Sequence, residues 1–578
     1  MVKLTIDGKA VEVEENTTIL DAARSVGIEI PTLCYLRELN EIGSCRVCVV
    51  EIDGIDQLVA SCNNYVLDGM VVHTNSPKVR EARKMNTELL LSMHDSRCTS
   101  CVRSGNCTLQ SLANDLGIYN NDYGERNLHF TPWDKNHALI RDNKKCVMCH
   151  RCIQVCDKVQ ASHIWDVTSR ASHAVINVSG GADFSTVDCT LCGQCITHCP
   201  TGALRERDDT EKVFSALGDP DVTVIAQIAP SVRTAWAEAL GVDGDLPLER
   251  LVSALHEMGF DYVVNTDFSA DLTIMEEGSE LLGHLVGSQM GGYPLFTSCC
   301  PGWVRFVKAH YPELVDDVST SKSPQQMFGA IVKSYYAEHL GLDPHKVFSV
   351  SIMPCVAKKA ECSYPNMNDA CGDPDVDVVL TVREVTRMIR AEHIDVSGID
   401  DVAFDEPLGY GTGAGIIFGA TGGVMEAALR TAHYLVTGNA PEDDMFDAVR
   451  GLKGWKEATF NLGGVDVRVA VVSGLANAKA LCDAVVTGEV HYDFVEVMAC
   501  PGGCVNGGGQ PIHDGCELAG VRGQKLYGLD KVAKYRNSYE NPQIKAVYAD
   551  YLGEPLSERA EELLHTDQHA WTMPAERR

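Results

Sequence analysis

Eight cysteines between residues 146 and 199 constrain this chain more than any other feature. They read Cys146-x2-Cys149-x2-Cys152-x3-Cys156 and then Cys189-x2-Cys192-x2-Cys195-x3-Cys199-Pro200. Thiolates are the soft ligands that iron–sulfur clusters take, and in a paired run of this spacing the fourth cysteine of each motif serves the other cluster. One 4Fe–4S cluster is therefore assigned to Cys146, Cys149, Cys152 and Cys199. A second is assigned to Cys189, Cys192, Cys195 and Cys156. The first motif ends in Asp157 rather than proline, a departure that affects the turn and not the ligands.

In all, 24 cysteines stand among 578 residues, too many for packing alone. A disulfide framework would belong to a small secreted domain. The opening Met1-Val2-Lys3-Leu4-Thr5-Ile6-Asp7 has no basic stretch leading into an apolar one, so no signal peptide is read. No run of about 18 apolar residues marks a membrane span. A cytoplasmic protein with reduced thiols is expected, and metal is the better use for them. The net charge of −31 argues against nucleic acid, whose phosphates demand basic patches. Hydrophobic content of 45% supports packed cores.

Residues 1–78 open with alternating apolar positions from Val2 to Ile6, an Asp7-Gly8 turn, and Val11 to Val13, which predicts a hairpin. Thr18 to Ala23 predicts a short helix. Cys34, Cys45, Cys48 and Cys62 follow, a set that suits a 2Fe–2S cluster in a domain similar to plant-type ferredoxins. The gap between Cys34 and Cys45 is longer than in those proteins, and zinc is the runner-up. Residues 79–119 begin with a helix from Val79 to Met93 and then supply His94, Cys98, Cys101 and Cys107. By spacing alone zinc suits this set equally well, since it takes three thiolates and one imidazole. The pattern resembles the His-plus-three-Cys 4Fe–4S site of FeFe-hydrogenases and of the large iron–sulfur subunit of respiratory complex I, which favours iron. Residues 137–209 form the bacterial-type region with two 4Fe–4S clusters. Four clusters in a row make an electron wire, and redox work becomes the leading class.

From residue 210 strands and helices alternate. Val222 to Ile228, Val347 to Ile352, Val467 to Val472 and Phe494 to Val497 read as strands, each leading into a loop or helix, which predicts mainly parallel sheets. Pro230-Ser231 is expected to open a helix through Ala239. Three cysteine loops fall just past strand ends, where open α/β sheets bind ligands. They are Thr297-Ser298-Cys299-Cys300-Pro301-Gly302-Trp303, Met353-Pro354-Cys355-Val356-Ala357-Lys358, and Met498-Ala499-Cys500-Pro501-Gly502-Gly503-Cys504, which runs on to Gly507-Gly508-Gly509-Gln510-Pro511. Cys300, Cys355, Cys500 and Cys504 could hold a further 4Fe–4S cluster with Cys299 unligated beside it, and the glycines would let backbone approach a bulky inorganic group.

Together these loops resemble the active-site signature of FeFe-hydrogenases. The fold implied is multidomain α+β and α/β, with ferredoxin-like N-terminal modules followed by a large two-lobed α/β hydrogenase domain over 210–578. The cofactor implied is the H-cluster, a 4Fe–4S cluster linked to a two-iron unit carrying CO, cyanide and a bridging dithiolate amine. It comes in addition to three accessory 4Fe–4S clusters and one 2Fe–2S cluster. By motif position Cys300, Cys355, Cys500 and Cys504 look like its ligands, with Cys504 bridging. Lys358 would donate to a cyanide, Pro230 and Ser231 would approach the other cyanide and the dithiolate, and Gln325, Met353 and Met498 would line the two-iron unit. The family's proton path matches Glu280, Ser319, Glu277 and Cys299 in inward order, with His284 where related enzymes often carry arginine.

The resemblance implies reversible reduction of protons to dihydrogen by a monomer. Soluble ferredoxin would exchange electrons and hydrogenase maturation proteins would supply the cofactor, with no nucleic acid and no membrane involved. Gly409 to Gly415 lacks a nucleotide-loop spacing and is read as close packing near the cofactor, so NAD is not expected. Cys362, Cys371, Cys482 and Cys516 are expected as buried thiols. The tail from Ala560 holds one possible short helix. Two rivals remain. A complex I-like electron-transfer subunit shares everything up to about residue 209 but needs none of the later cysteine loops. A hydrogenase-like iron–sulfur scaffold keeps the fold but loses parts of those loops.

Overall fold

A computed structural model describes residues 1–120, 123, 133–169, 173–242, 244–286, 292–514 and 517–575. At the N-terminus Val2–Ile6 and Lys9–Val13 form the hairpin, turned by Asp7 and Gly8 in the left-handed region. They belong to a five-stranded sheet with Val71–His73, Val49–Ile52 and Ile55–Ala60. Thr18 caps the helix Ile19–Ser25 by accepting from the Asp21 amide. Helix Pro77–Leu91 carries a buried Arg83 that donates to the carbonyls of Val47, Val49 and Thr74, and so fastens the helix to the sheet. Leu33, Val47, Leu90, Leu109, Leu112 and Val147 share one apolar core with Cys34, Cys45 and Cys149. The first three cysteine-bearing segments therefore pack as neighbours.

The eight-cysteine run folds as two copies of one backbone path. Met148 and His150 in the first motif, and Leu191 and Gly193 at the matching places of the second, all take positive φ. Helices Arg151–Lys158 and Gln194–Thr197 follow. Three of those four residues are not glycine, and L-residues avoid this region at a cost of roughly 1–2 kcal/mol each. The loops are thus wound tightly enough to turn successive thiols toward a common centre.

Beyond residue 210 there are two sheets. The first is fully parallel, in the order Tyr262–Asn265, Thr223–Ile228, Val347–Met353, Val378–Thr381. The second runs Leu295–Phe296, Phe494–Met498, Val465–Ser473, Trp455–Leu462, with only the last strand antiparallel. The long helix Thr266–Val286 packs against Pro324–Ile331, Gly413–Ile417 and Gly423–Thr437. Carboxyl ends of both sheets lead toward one another, so residues following Ile228, Phe296, Met353 and Met498 meet.

Some expectations change. Pro230 opens a short 3-10 turn, Pro230–Thr234, and Ala235 breaks it before the helix Trp236–Leu240. The C-terminal helix is Glu558–Leu564, and past it Trp571 and Met573 are buried in the core behind the second sheet. Cys482 is buried as expected, whereas Cys362 and Cys371 are only partly buried, Cys362 against the core of the first sheet. Cys516 lies outside the described residues. No helix among the described residues is long and apolar enough to cross a membrane.

Candidate active site

The meeting point of the two sheets is a cavity of about 80 Å³ with an almost wholly apolar wall. Cys299, Cys300, Cys355, Cys500 and Cys504 line it, as do Pro230, Ser231, Gln325, Met353, Lys358 and Met498. Burial raises the thiols of Cys300, Cys355, Cys500 and Cys504 above the ordinary range, Cys355 to about 12. Four such thiols become thiolates together only if a cation takes their charge.

The third loop reaches the cavity because its glycines allow it. A Cβ on Gly503 would stand 2.6 Å from the Thr421 amide nitrogen, and one on Gly507 would stand 2.2 Å from the Pro354 oxygen. On Gly509 it would stand 2.8 Å from the Pro354 carbonyl carbon, and on Gly508 2.5 Å from the Cys192 oxygen. These glycines therefore chiefly let backbone lie on backbone, which is how the cysteines are drawn together. Gly411 and Gly415 press likewise on Asp267, and Gly413 on Asp530. None of the residues from Gly409 to Gly415 lines the cavity, so that segment packs one layer further out than expected.

Three polar groups face the cavity from its wall. Ser231 Oγ and Gln325 Oε1 are buried with no hydrogen-bond partner among the described residues. Lys358 Nζ is 3.0 Å from Glu361 Oε2 and 3.4 Å from the Cys299 oxygen. Burial opposes the Lys358 ammonium, but Glu361 together with Cys355 and Cys299 outweighs it and lifts the group above its usual value. Glu361 also accepts from Ser323 Oγ at 3.0 Å and Gln325 Nε2 at 3.1 Å. Clustered thiols, two orphaned polar atoms and one paired cation fit a bulky metal group with anionic ligands.

Leading away from Cys299 is a line of carboxylates and hydroxyls. Glu277 Oε1 accepts from the Ser298 amide at 3.4 Å. Ser319 Oγ donates to Glu280 Oε2 at 2.5 Å, and Thr320 donates to Glu280 Oε1 from its amide at 2.9 Å and its hydroxyl at 2.7 Å. Burial first, and Glu280 second, raise the Glu277 carboxyl to about 8. Glu277 is fully buried and Glu280 half-buried, so solvent access rises from the first carboxylate to the second. His284 lies one turn beyond Glu280, close enough to Asp317 to lower that carboxyl, though burial raises it on balance.

The sixteen upstream ligand candidates also come together. Cys34 and Cys45 are hydrogen-bonded, as are Cys48 and Cys62. The Cys101 sulfur is 2.7 Å from where a Cβ on Gly202 would be, and Cys107 Sγ lies 3.6 Å from the Pro200 oxygen. His94 Nδ1 bonds to the Lys145 carbonyl at 3.0 Å, which leaves Nε2 available to a metal. Cys98 begins the 3-10 turn Cys98–Ser100, and its oxygen accepts from the Cys101 amide at 3.0 Å. After burial, Cys149 is raised most by Cys199 and Cys152, and Cys195 by Cys192, Cys189 and Cys156. Cys146 is a neighbour of Cys152. Cys199 and Cys156 thus stand with the opposite motifs.

Sequence reasoning missed three supporting groups. Arg233 Nε donates to the Pro230 oxygen at 2.9 Å while Nη2 pairs with buried Asp267, bracing the turn that presents Ser231. Glu496 accepts from the amides of Gly422 and Met425 at 2.7 and 2.8 Å, joining its strand to the helix Gly423–Thr437. Glu361 is the counter-charge of Lys358. Only Glu496 carries a local signal, a carboxylate inside the apolar strand Phe494–Met498.

Comparisons with known proteins agree with this geometry. Residues 222–508 match the model of the iron only hydrogenase large subunit, C-terminal domain, and 517–571 that of the iron hydrogenase small subunit. Residues 1–77 match a 2Fe-2S iron-sulfur cluster binding domain, 83–122 the NADH-ubiquinone oxidoreductase-G iron-sulfur binding region, and 145–203 a 4Fe-4S dicluster domain. The chain is 47% identical to the NADP-reducing hydrogenase subunit HndD of Solidesulfovibrio fructosivorans, over 98% of each chain. It is 39% identical to iron hydrogenase 1 of Clostridium pasteurianum, over 98% of this chain and 99% of that one. A solved FeFe-hydrogenase HydA1 variant from Chlamydomonas reinhardtii superposes with TM-score 0.55 and 39% identity, covering 63% of this chain and 98% of its own.

Proposed function

The chain belongs to the iron-only (FeFe) hydrogenase family and interconverts protons and dihydrogen, and we propose that it does so with soluble ferredoxin as electron partner, as a single chain. Residues 1–78 would carry a 2Fe–2S cluster, 79–119 one 4Fe–4S cluster, 137–209 two more, and 210–578 the H-cluster. What carries this reading is the convergence of Cys300, Cys355, Cys500 and Cys504 on one cavity that also receives Lys358 and the unpartnered Ser231 Oγ. When bound there, the cofactor supplies the redox-active iron at which protons and electrons combine.

The chain's own residues do the rest. Cys300, Cys355, Cys500 and Cys504 would hold the cofactor through their thiolates. Lys358 Nζ, kept charged by Glu361, offers a point-charge donor to an anionic ligand. Ser231 and Gln325 offer the orphaned polar atoms, while Pro230, Met353 and Met498 exclude water. Cys299 Sγ passes protons between the cavity and Glu277, and Ser319 connects Glu277 to Glu280. Electrons enter through the N-terminal modules and leave the eight-cysteine region at Cys192, which lines the same cavity.

A second reading of the electron partner is favoured by the similarity to HndD, whose name makes it a subunit of an NADP-reducing enzyme. Under that reading other subunits would carry the nucleotide. Anaerobic protein co-expressed with the maturation machinery should show infrared bands of iron-bound CO and cyanide that are lost in Cys504→Ser. It should evolve dihydrogen with reduced ferredoxin and not with NADPH alone. Absence of the bands would overturn the site. Inactivity with ferredoxin, with bands present, would overturn only the partner.

A further inference from the structure

Far from the cofactor cavity, His345, Cys371 and Asp373 offer an imidazole nitrogen, a thiol sulfur and a carboxylate oxygen that lie within 4.8 Å of one another. These are three different ligand types from two separate segments. His345 belongs to the turn Pro344–Lys346, just before the strand Val347–Met353. Cys371 and Asp373 belong to the loop between Met367 and Asp375. We propose that they form a zinc site, with water completing a tetrahedron.

The ligand chemistry selects the metal. Nitrogen, sulfur and oxygen donors together suit Zn²⁺, whereas calcium and magnesium ask for oxygen alone. Bond lengths of about 2.0–2.3 Å place neighbouring donors about 3.5 Å apart in a tetrahedron. His345 Nδ1 and Asp373 Oδ2 are already 2.8 Å apart, so side-chain rotation of about an ångström seats the ion. His345 is exposed and the other two half-exposed, so metal can enter from solvent.

Both segments are held before any metal arrives. Buried Lys322 reaches Asp369 at 2.7 Å and Asp375 at 3.1 Å. Lys333 donates to the Pro374 oxygen at 2.6 Å. Within the loop, Gly372 N bonds to the Asn368 oxygen at 3.0 Å and Asp375 N to the Met367 oxygen at 2.8 Å. Gly372 takes φ +90°, a conformation L side chains rarely adopt, and so turns the chain between Cys371 and Asp373. Asp343 Oδ1 accepts from the His345 amide at 3.1 Å. A surface ion pair gains little from such support, because exposed pairs contribute about 0–1 kcal/mol. A metal site gains directly, because fixed ligands reduce the ordering cost of binding. Binding breaks the His345 Nδ1–Asp373 Oδ2 hydrogen bond and sends the Nδ1 proton to Nε2 or solvent. The Cys371 thiol proton goes to solvent, which leaves a neutral imidazole and a thiolate on zinc. Bound zinc would staple the loop to the start of the strand that ends at Met353. None of this depends on the hydrogenase reading.

The test uses the cluster-loaded holoenzyme, whose cluster cysteines are occupied. It is incubated anaerobically with Zn²⁺, freed of excess by gel filtration, and assayed for metal by mass spectrometry. Wild type is expected to retain about one more zinc per chain than either Cys371→Ser or His345→Ala. The same zinc should block alkylation of Cys371 but not in His345→Ala. Hydrogen turnover should be unchanged in both variants, since neither residue lies near the cavity. Equal zinc in all three proteins, or Cys371 alkylated equally with and without zinc, overturns the proposal.

Discussion

The Cys500 thiol stands 3.9 Å from the main-chain oxygen of Cys192. One residue belongs to the cavity and the other to the second motif of the eight-cysteine run. Arg383 secures the approach, donating to the Gly508 oxygen at 2.8 Å while paired with Glu206 from the strand Leu204–Glu206. Beneath this contact Lys359 is buried between Asp209 at 2.8 Å and Glu384 at 3.0 Å. On the proposed route, electron delivery would depend on this close backbone contact, which charge pairs stiffen.

Gly508→Ala tests that contact. Its Cβ would meet the Cys192 oxygen at 2.5 Å, and main chain has to move. Ferredoxin-dependent hydrogen evolution is expected to fall by roughly tenfold or more, because about 1.4 kcal/mol of misplacement suffices. Deuterium–proton exchange, which needs no external electrons, should fall much less. Equal losses in both assays would mean that the contact serves folding only.

Glu277→Gln should keep the fold and lower turnover by roughly 10²–10⁴-fold, the usual weight of a proton-transfer group. The Glu277 carboxyl is lifted to about 8, so its proton is held below that pH and lost above it. Hydrogen evolution by wild type is expected to decline as pH rises past about 8. An unchanged pH profile in Glu277→Asp and Glu277→Gln would remove Glu277 from the path.

Arg233→Lys keeps the charge but loses the fork that holds Pro230 and Asp267 together. The turn presenting Ser231 should loosen, and the infrared bands of the loaded cofactor should broaden or shift while iron content stays constant. Turnover is expected to drop about tenfold. Sharp, unshifted bands in this variant would assign the bracket to stability alone.

Asp271 is buried on the helix Thr266–Val286 and accepts from Thr412 N at 2.8 Å, Thr412 Oγ1 at 2.6 Å, Ser538 Oγ at 2.8 Å and Asn541 Nδ2 at 2.9 Å. Burial nevertheless raises its carboxyl from 3.8 to about 6. Between those values the native state binds more protons than the unfolded chain, so stability falls as pH rises. The protonated form's contribution is complete below the unfolded value and gone above about 6. Thermal unfolding should show wild type losing about 1.4 kcal/mol relative to Asp271→Asn between pH 5 and pH 7, out of about 3 kcal/mol over the whole window from below 3.8 to above 6. A constant difference would count against it.

Much of the organisation was legible because cluster ligands are encoded locally. Cys146 to Cys199 specify their partition through spacing, since a cubane needs successive thiols a few residues apart on a tightly wound loop. Strands such as Val347–Met353 announced themselves as apolar runs, and the cysteines after them as loop residues. Cys371 was less legible, because nothing near it in the chain announces His345. The glycines of the third loop were legible as close-packing residues, but what they pack against was not.

By itself the sequence determined which cysteines stand at the spacings of cluster ligands, the order of those groups along the chain, and the strand ends where the cysteine loops begin. Those properties depend on neighbours within a few residues. Only the tertiary structure decided that Gly507 lies on Pro354, that Arg233 braces Pro230 against Asp267, and that Cys192 touches the cofactor loop. Each of these joins segments that are distant in the chain or rests on how a turn is placed against a helix. Their geometry is set by packing between the two sheets and by burial of charge, and local spacing carries no record of either.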